Sequence, residues 1–318
     1  MQVGLHASHE QHTPAALLAQ VRAAESAGFR RAMCSDHFAP FSARQGQSGF
    51  AWSWLGAALE ATEHSFGVVT APGQRYHPVV LAQAIATLAA MYEGRLWVAL
   101  GSGENLNEHI TGEAWPAKRR RRERLGECVE ILRALFAGET VTHDGLVRVH
   151  EAKLWTRPQT IPRLFGAAVS PESAAWVATW ADGLVTVNQD GNTLARVVDA
   201  FRSAGGEGKP MYLQSHVAWA PREEDALAAA HDQWRTNVFC GPLMWDVAHP
   251  EQLDTAAEFV APEDLRKAVR ISADLGRHTA WLQEDAALGF DGVYLHEVGR
   301  EQLRLFETFG RHVLPQLR

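Results

Sequence analysis

The chain has 318 residues, 46% of them hydrophobic and 21% charged, with 30 Lys and Arg against 37 Asp and Glu. That balance excludes a disordered or fibrous chain, and the formal charge of -7 argues against broad affinity for nucleic acid or an anionic membrane. Cys34, Cys128 and Cys240 lack CxxC spacing and point to a reducing compartment, not to a disulfide framework or a zinc site. The sequence does not open on a basic segment followed by a long apolar one, and no apolar run approaches the roughly 20 residues that span a bilayer. The expectation is a cytoplasmic protein with neither nucleic acid nor membrane as partner.

In chain order, residues 3–7 read as a strand and 14–27 as a helix, with Thr13 as N-cap, Pro14 at its first position and Gly28 as its stop. Strands follow at 31–35, 66–70 and 96–101, the last almost wholly apolar, as a strand covered on both faces would be. Helices separate them at 54–62 and 78–91, and a long amphipathic helix covers 119–136. The second half repeats the rhythm with strands at 163–168, 183–187, 211–218 and 292–296, and helices at 172–181, 193–203 and 223–235. Eight strands alternating with helices imply a parallel sheet with right-handed crossovers, and eight is the number that closes a (β/α)8 TIM barrel. An open doubly wound sheet would carry Gly-x-Gly-x-x-Gly after its first strand, and His6-Ala7-Ser8-His9-Glu10 offers nothing of that kind. The expectation is a single α/β barrel domain over 1–318, with loop or hairpin insertions near 39–53, 141–160 and 236–262.

The basic run Lys118-Arg119-Arg120-Arg121-Arg122 invites a nucleic-acid reading. It opens an amphipathic helix with interleaved acids, so a solvated helix face or a subunit contact is the simpler reading.

In such a barrel the chemistry sits at the carboxyl ends of the strands. The polar groups there are His6, Ser8 and His9; Ser35-Asp36-His37; Thr70 and Arg75-Tyr76-His77; Gly101 through Glu108; Val169-Ser170-Pro171; and Asn188-Gln189-Asp190. Gly101 and Gly103 around Ser102 would let the backbone approach a flat or phosphorylated ligand, with Glu104 and Asn107 at the mouth. Ser170-Pro171 opens a helix and is either an anion cradle or an ordinary N-cap. His37 beside Asp36 is either a general acid or base or a structural hydrogen-bonder. His6 and His9 are three apart, which on a strand sends them to opposite faces, so a metal site is not expected.

Several segments together resemble the luciferase-like flavin-dependent oxidoreductases, in the branch holding the deazaflavin (F420)-dependent glucose-6-phosphate dehydrogenases. They are Ser35-Asp36-His37-Phe38-Ala39-Pro40, Arg75-Tyr76-His77-Pro78, Gly101-Ser102-Gly103-Glu104-Asn105-Leu106-Asn107-Glu108, Ala114-Trp115-Pro116, Ala181-Asp182-Gly183 and the stretch from Phe306-Glu307-Thr308-Phe309-Gly310 to Leu314-Pro315. The resemblance implies a flavin-type ring in the barrel mouth and a homodimer. It implies His37 and Glu104 as the catalytic proton-transfer groups. Asp36, Val69, Gly103 and Asn107 would bind the cofactor, with Val169, Ser170 and Pro171 cradling its phosphate.

The departures from that family's pattern shape the rest of the expectation. Where the sugar-phosphate enzymes carry a cation after strand six, this chain has Asn188-Gln189-Asp190, and an acid there would repel a phosphate. Phe41 stands where the sugar dehydrogenases have Trp. With Trp54, these residues define the expected substrate pocket: Phe41, Trp54, Asn188 and Asp190, for a small non-phosphorylated organic molecule. The segment 67–72 lacks the Ser and Thr typical of deazaflavin binders, which makes FMN the first expectation, with oxygen chemistry and a separate flavin reductase as an optional partner. F420-dependent hydride transfer is the alternative, and a non-catalytic flavin-binding barrel the second. Residues 236–262, with Phe239, Met244 and Trp245, read as an apolar lid. Of the 11 tryptophans, Trp97, Trp176 and Trp180 fall in core patterns, whereas Trp52, Trp54, Trp115 and Trp245 fall near the mouth.

Overall fold

In the computed structural model, which describes residues 1–239 and 241–317, strand–helix alternation runs almost the length of the chain. The strands are β1 (Gln2–Ala7), β2 (Arg31–Ser35), β3 (Ser65–Thr70), β4 (Leu96–Leu100), β5 (Val141–Asp144), β6 (Arg148–Ala152), β7 (Leu164–Ala167), β8 (Leu184–Val187), β9 (Met211–Ala218), β10 (Arg270–Ile271) and β11 (Gly292–Glu297). Eight of them pair in parallel in the order β1, β2, β3, β4, β7, β8, β9, β11, and β11 returns to β1 with Gln2 opposite Gly292, closing a (β/α)8 barrel. β10 adds a short edge to β9, and β5 and β6 form a separate antiparallel hairpin within the second expected insertion.

Local signals explain the helix ends. The Thr13 hydroxyl accepts from the Ala16 N–H at 3.3 Å, Pro14 opens the helix Pro14–Ser26, and Gly28 turns the chain out of it with φ of 100°. The helix Ala51–Ala61 starts three residues earlier than its apolar spacing predicts, because Ala51 and Trp52 are already buried against the core. Helices Leu275–Ala287 and Gln302–His312 flank β11 and were not among the predicted elements; each mixes charged residues densely with its apolar face.

Strand alternation sends Tyr294 and His296, Tyr212 and His216, Trp97 and Ala99, Phe165 and Ala167 into the barrel. Trp97, Phe165, Tyr212 and Tyr294 meet at its centre with ring centroids 4.7–5.6 Å apart and form an aromatic floor beneath the carboxyl ends. Gly67 makes room for this floor: a Cβ at Gly67 would lie 1.9 Å from Cζ2 of Trp97. Cys34 and Cys128 are buried and free, and Cys240 lies outside the described residues. Among the described residues no helix is long and apolar enough to cross a membrane, and no group of three His, Cys, Asp or Glu could hold a metal.

Candidate functional site

The third expected insertion is helical. Short helices at Pro242–Asp246 and Pro250–Ala256 and 3-10 turns at Arg235–Val238 and Pro262–Lys267 build a small second core with Phe41, Leu106 and Trp234 over the β9–β11 side of the barrel. Two aspartates fasten it down. Asp254 accepts from Ser42 Oγ at 2.6 Å, Ala43 N at 2.8 Å and Arg44 Nη1 at 2.8 Å. Asp246 accepts from Asn105 Nδ2 through its carbonyl at 2.8 Å and from the Trp115 indole through its carboxylate at 2.9 Å. Phe239, Met244 and Trp245 belong to this core, so they hold the lid together.

Beneath the lid, the Glu10 carboxylate is 2% exposed and accepts from Ser8 Oγ at 2.7 Å and from His37 Nδ1 at 2.5 Å. Burial alone would raise Glu10, yet the His37 hydrogen bond and charge hold it down at about 2. Burial works against a charged ring at His37, but the Glu10 hydrogen bond and charge override it and raise the imidazole, with Glu104 adding to the effect. Because Nδ1 is committed to Glu10, Nε2 of His37 is the nitrogen left to the mouth, and the ring is 18% exposed. Glu104 is raised by burial against the pull of His37. Both groups are thus shifted upward and hold their protons to higher pH than free side chains would.

Asp36 and Asn107, expected to touch a cofactor, brace this arrangement through protein hydrogen bonds. Asp36 is 3% exposed; its carboxylate accepts from the Trp52 indole at 3.0 Å, Thr70 Oγ1 at 2.9 Å and Tyr76 OH at 3.1 Å. Arg75 donates to the Asp36 carbonyl at 2.5 Å. Asn107 Oδ1 accepts from the N–H groups of Phe38 and Ala39 at 2.8 and 3.2 Å, and its amide nitrogen donates to Glu104 at 3.3 Å, so it joins the loop after β2 to the loop after β4. Both are buried, and their polar atoms find protein partners, as buried polar groups must.

Three of the four expected substrate-pocket residues have protein partners of their own. Trp54 is 5% exposed, donates to the Pro14 carbonyl at 3.1 Å and packs on His9 and Phe66, so it belongs to the core. Asp190 is exposed and caps the helix Gly191–Phe201, accepting from Thr193 N at 3.0 Å; this hydrogen bond holds its carboxyl below the usual range. Asn188 is satisfied on both sides, donating to the Ala268 carbonyl at 3.0 Å and accepting from His216 N at 2.7 Å. Phe41 does reach the site, with its ring 5.1 Å from that of His37.

At the carboxyl ends of β3, β4, β7 and β8 the inward residues are small. Val69, Gly101, Ala167 and Val187 are half-buried although helices cover the outside of their strands, so their exposure is to the mouth. A Cβ at Gly101 would meet nothing nearer than Ala167 Cβ at 3.8 Å. Gly103 turns the chain at φ of 82°. At the rim, Ser170 caps the helix Pro171–Ala178 through Ser173 N at 3.3 Å, and the Val169 carbonyl accepts from Gln189 Nε2 at 3.1 Å. The ordinary N-cap is therefore present, and the helix N-terminus faces the slot from the strand end. Beside it, Lys118 and Arg122 both bind Glu172, at 2.8 and 3.0 Å. Arg121 and Arg124 of the same basic run are largely buried, Arg121 over the Trp115 ring and Arg124 on Gln74, so the run is only partly a solvated face.

Sequence reasoning missed Glu10, Gln11, His216, His296 and Trp234. A strand-end inventory that continued two residues past Ser8 would have found Glu10. Nothing local marks the others, which meet only when the barrel closes.

Residues 1–292 match the luciferase-like monooxygenase family. The chain is 33% identical to the F420-dependent hydroxymycolic acid dehydrogenase of Mycobacterium tuberculosis, over 99% of this chain and 88% of that one. It is 32% identical to the F420-dependent glucose-6-phosphate dehydrogenase of Intrasporangium calvum, over 100% and 99%. Its fold is similar to that of an F420-dependent secondary alcohol dehydrogenase solved with an F420–acetone adduct, at a TM-score of 0.91 and 28% identity, with 100% of this chain and 99% of that one covered.

Proposed function

Because the chain belongs to the luciferase-like monooxygenase family, we propose that this oxidoreductase is an F420-dependent dehydrogenase acting on a neutral alcohol. Relatives named for F420 support this cofactor over FMN, which had been the first expectation. The FMN reading rested on missing hydroxyls in 67–72, but Thr70 of that segment spends its hydroxyl on Asp36, so the segment's polarity says little about the ligand. Alcohol oxidation by hydride transfer also needs no separate flavin reductase.

The slot fits a flat ring: Val69, Gly101, Ala167 and Val187 line one side and leave the space that larger side chains would fill. Residues 169–171 would hold the phosphate, with Lys118 and Arg122 close to its acidic tail. When bound, the deazaflavin supplies the hydride acceptor.

The observation that carries the reading is the Glu10–His37 pair. Glu10 fixes the Nδ1–H tautomer of His37, and Nε2 takes the proton of the substrate hydroxyl as its C–H hydride leaves. Glu104, raised by burial, holds a proton at its carboxyl over more of the pH range and is the acid of the pair. Phe41 shields the reacting hydroxyl from water. A neutral substrate is supported by the state of the nearby cations. Arg75 is held between Asp36 and Glu108, and Arg121 and Arg124 are bound to protein groups.

The test is a paired titration of apo protein with F420 and with FMN, followed by 2-propanol. Tight F420 binding and loss of the deazaflavin absorbance on adding the alcohol are expected; tight FMN binding with no F420 affinity would overturn the assignment.

We propose further that the chain is a homodimer. Val80 and Met91 are exposed, three turns apart on one face of the helix Pro78–Met91, whose sequence carries no charge. Sedimentation equilibrium is expected to give twice the chain mass, and Val80→Glu with Met91→Glu to give the monomer. A monomeric parent protein would sink the idea.

A further inference from the structure

Three histidines stand inside the barrel on the side away from the small-residue slot. His6, His296 and His216 come from β1, β11 and β9, with successive ring centroids 4.7 and 5.1 Å apart. The indole of Trp234 lies 4.5 Å from His296 and 5.1 Å from His216. None of the three takes part in the proton transfer described above.

Their hydrogen bonds fix which nitrogens carry protons. Gln11 Nε2 donates to the Val298 carbonyl at 2.7 Å; a carbonyl cannot donate, so the amide nitrogen must face it and the amide oxygen must face away. That oxygen lies 2.9 Å from His296 Nε2, which must therefore carry a hydrogen. Buried and held well below the ordinary imidazole value by desolvation, His296 is neutral, so its Nδ1 is a bare acceptor. His216 Nδ1 sits 3.0 Å from that acceptor and must donate to it. The remaining nitrogen of a neutral His216, Nε2, has no hydrogen. His216 is lowered to about 3, chiefly by burial, so the ring stays neutral. His296 is fully buried, whereas His216 is half-buried near the carboxyl end of β9, and an inward residue there can meet solvent only through the mouth.

We propose that His216 is a fixed hydrogen-bond acceptor in the mouth, set by the Val298–Gln11–His296 relay, and that it selects a substrate carrying a second neutral donor, such as a further hydroxyl beside the one oxidised. A phosphate or carboxylate offers only acceptors and finds no partner at this nitrogen. His216 acts as a specificity residue, and His37 remains the proton-transfer group. The substrate part rests on the alcohol chemistry proposed above; the acceptor part does not.

The experiment is nitrogen-15 NMR of histidine-labelled protein, with His216 and His296 assigned through His216→Asn and His296→Asn. In the apo protein His216 is expected as the Nδ1–H tautomer and His296 as the Nε2–H tautomer, and Gln11→Leu is expected to release this bias. An Nε2–H tautomer at His216 in the wild-type chain overturns the proposal, whether or not any cofactor binds. F420 is then added, followed by 1,2-propanediol, with 2-propanol as the single-donor control. A change at His216 Nε2 with the diol alone supports the second-donor assignment. A change with F420 alone, or with none of the three, overturns it. In turnover, His216→Leu is expected to raise the ratio of the KM for the diol to that for 2-propanol about three- to tenfold, as the loss of one neutral hydrogen bond would, and an unchanged ratio would overturn the second-donor assignment.

Discussion

His37→Ala is expected to lower kcat for alcohol-driven F420 reduction by about a thousandfold, the usual range for removing a positioned general base. The dissociation constant for F420, read from its fluorescence, should move little, because residues 169–171 and the small-residue slot are untouched. A variant with unaltered turnover would refute the mechanism and favour a non-catalytic binding protein. The pH profile gives a sharper test. Burial lowers the His37 imidazole and Glu10 overrides it, so the neutral base appears only as pH rises through the raised value, and alcohol oxidation climbs with pH along that limb. Glu10→Gln keeps an acceptor for Nδ1–H but removes the charge, leaving burial less opposed. The rising limb should then shift to lower pH; a shift to higher pH, or none, would show that Glu10 does not tune His37. Ketone reduction uses His37 as the acid, and its falling limb should move in the same direction.

The second large effect concerns stability. Gly67→Ala is expected to cost about 3 kcal/mol or more, at the upper end for overpacking a core. The new Cβ would lie 1.9 Å from the Trp97 ring. The β3 backbone cannot retreat, since Gly67 is held in register between Met33 on β2 and Trp97 on β4. Nor can the indole swing aside, because Phe165, Tyr212 and Tyr294 enclose it. Urea denaturation measures the loss. Adding Trp97→Leu to Gly67→Ala should recover part of it, as coupled neighbours are not additive. Equal losses from the single substitutions that simply sum would show that the two sites do not meet.

The same contrast separates what was legible in the chain from what was not. The alternation of strands and helices, the Thr13-Pro14 start and the Gly28 stop depend on neighbours a few residues apart, and any reader of the sequence can apply those short-range rules. The strand-end motifs likewise put His37 and Glu104 at one end of the barrel, because the fold sends every strand's carboxyl end to the same face. What each polar group does there was not legible. Asp36 and Asn107 resemble ligands by motif, and the structure shows that each also holds partners from other loops. Trp54 and Asp190 lie near the right loops, yet one turns into the core and the other caps its own helix.

The sequence by itself therefore determined a parallel barrel, the end that bears the site and the acid–base residue types. The tertiary structure decided the partners. Glu10 reaches His37 across 27 residues because β1 pairs with β2, and Gln11 reaches His296 across 285 because β11 closes onto β1. A side chain's charge and free nitrogen depend on burial and on whoever shares its hydrogen bond, and those are set by closure of the barrel, not by local periodicity.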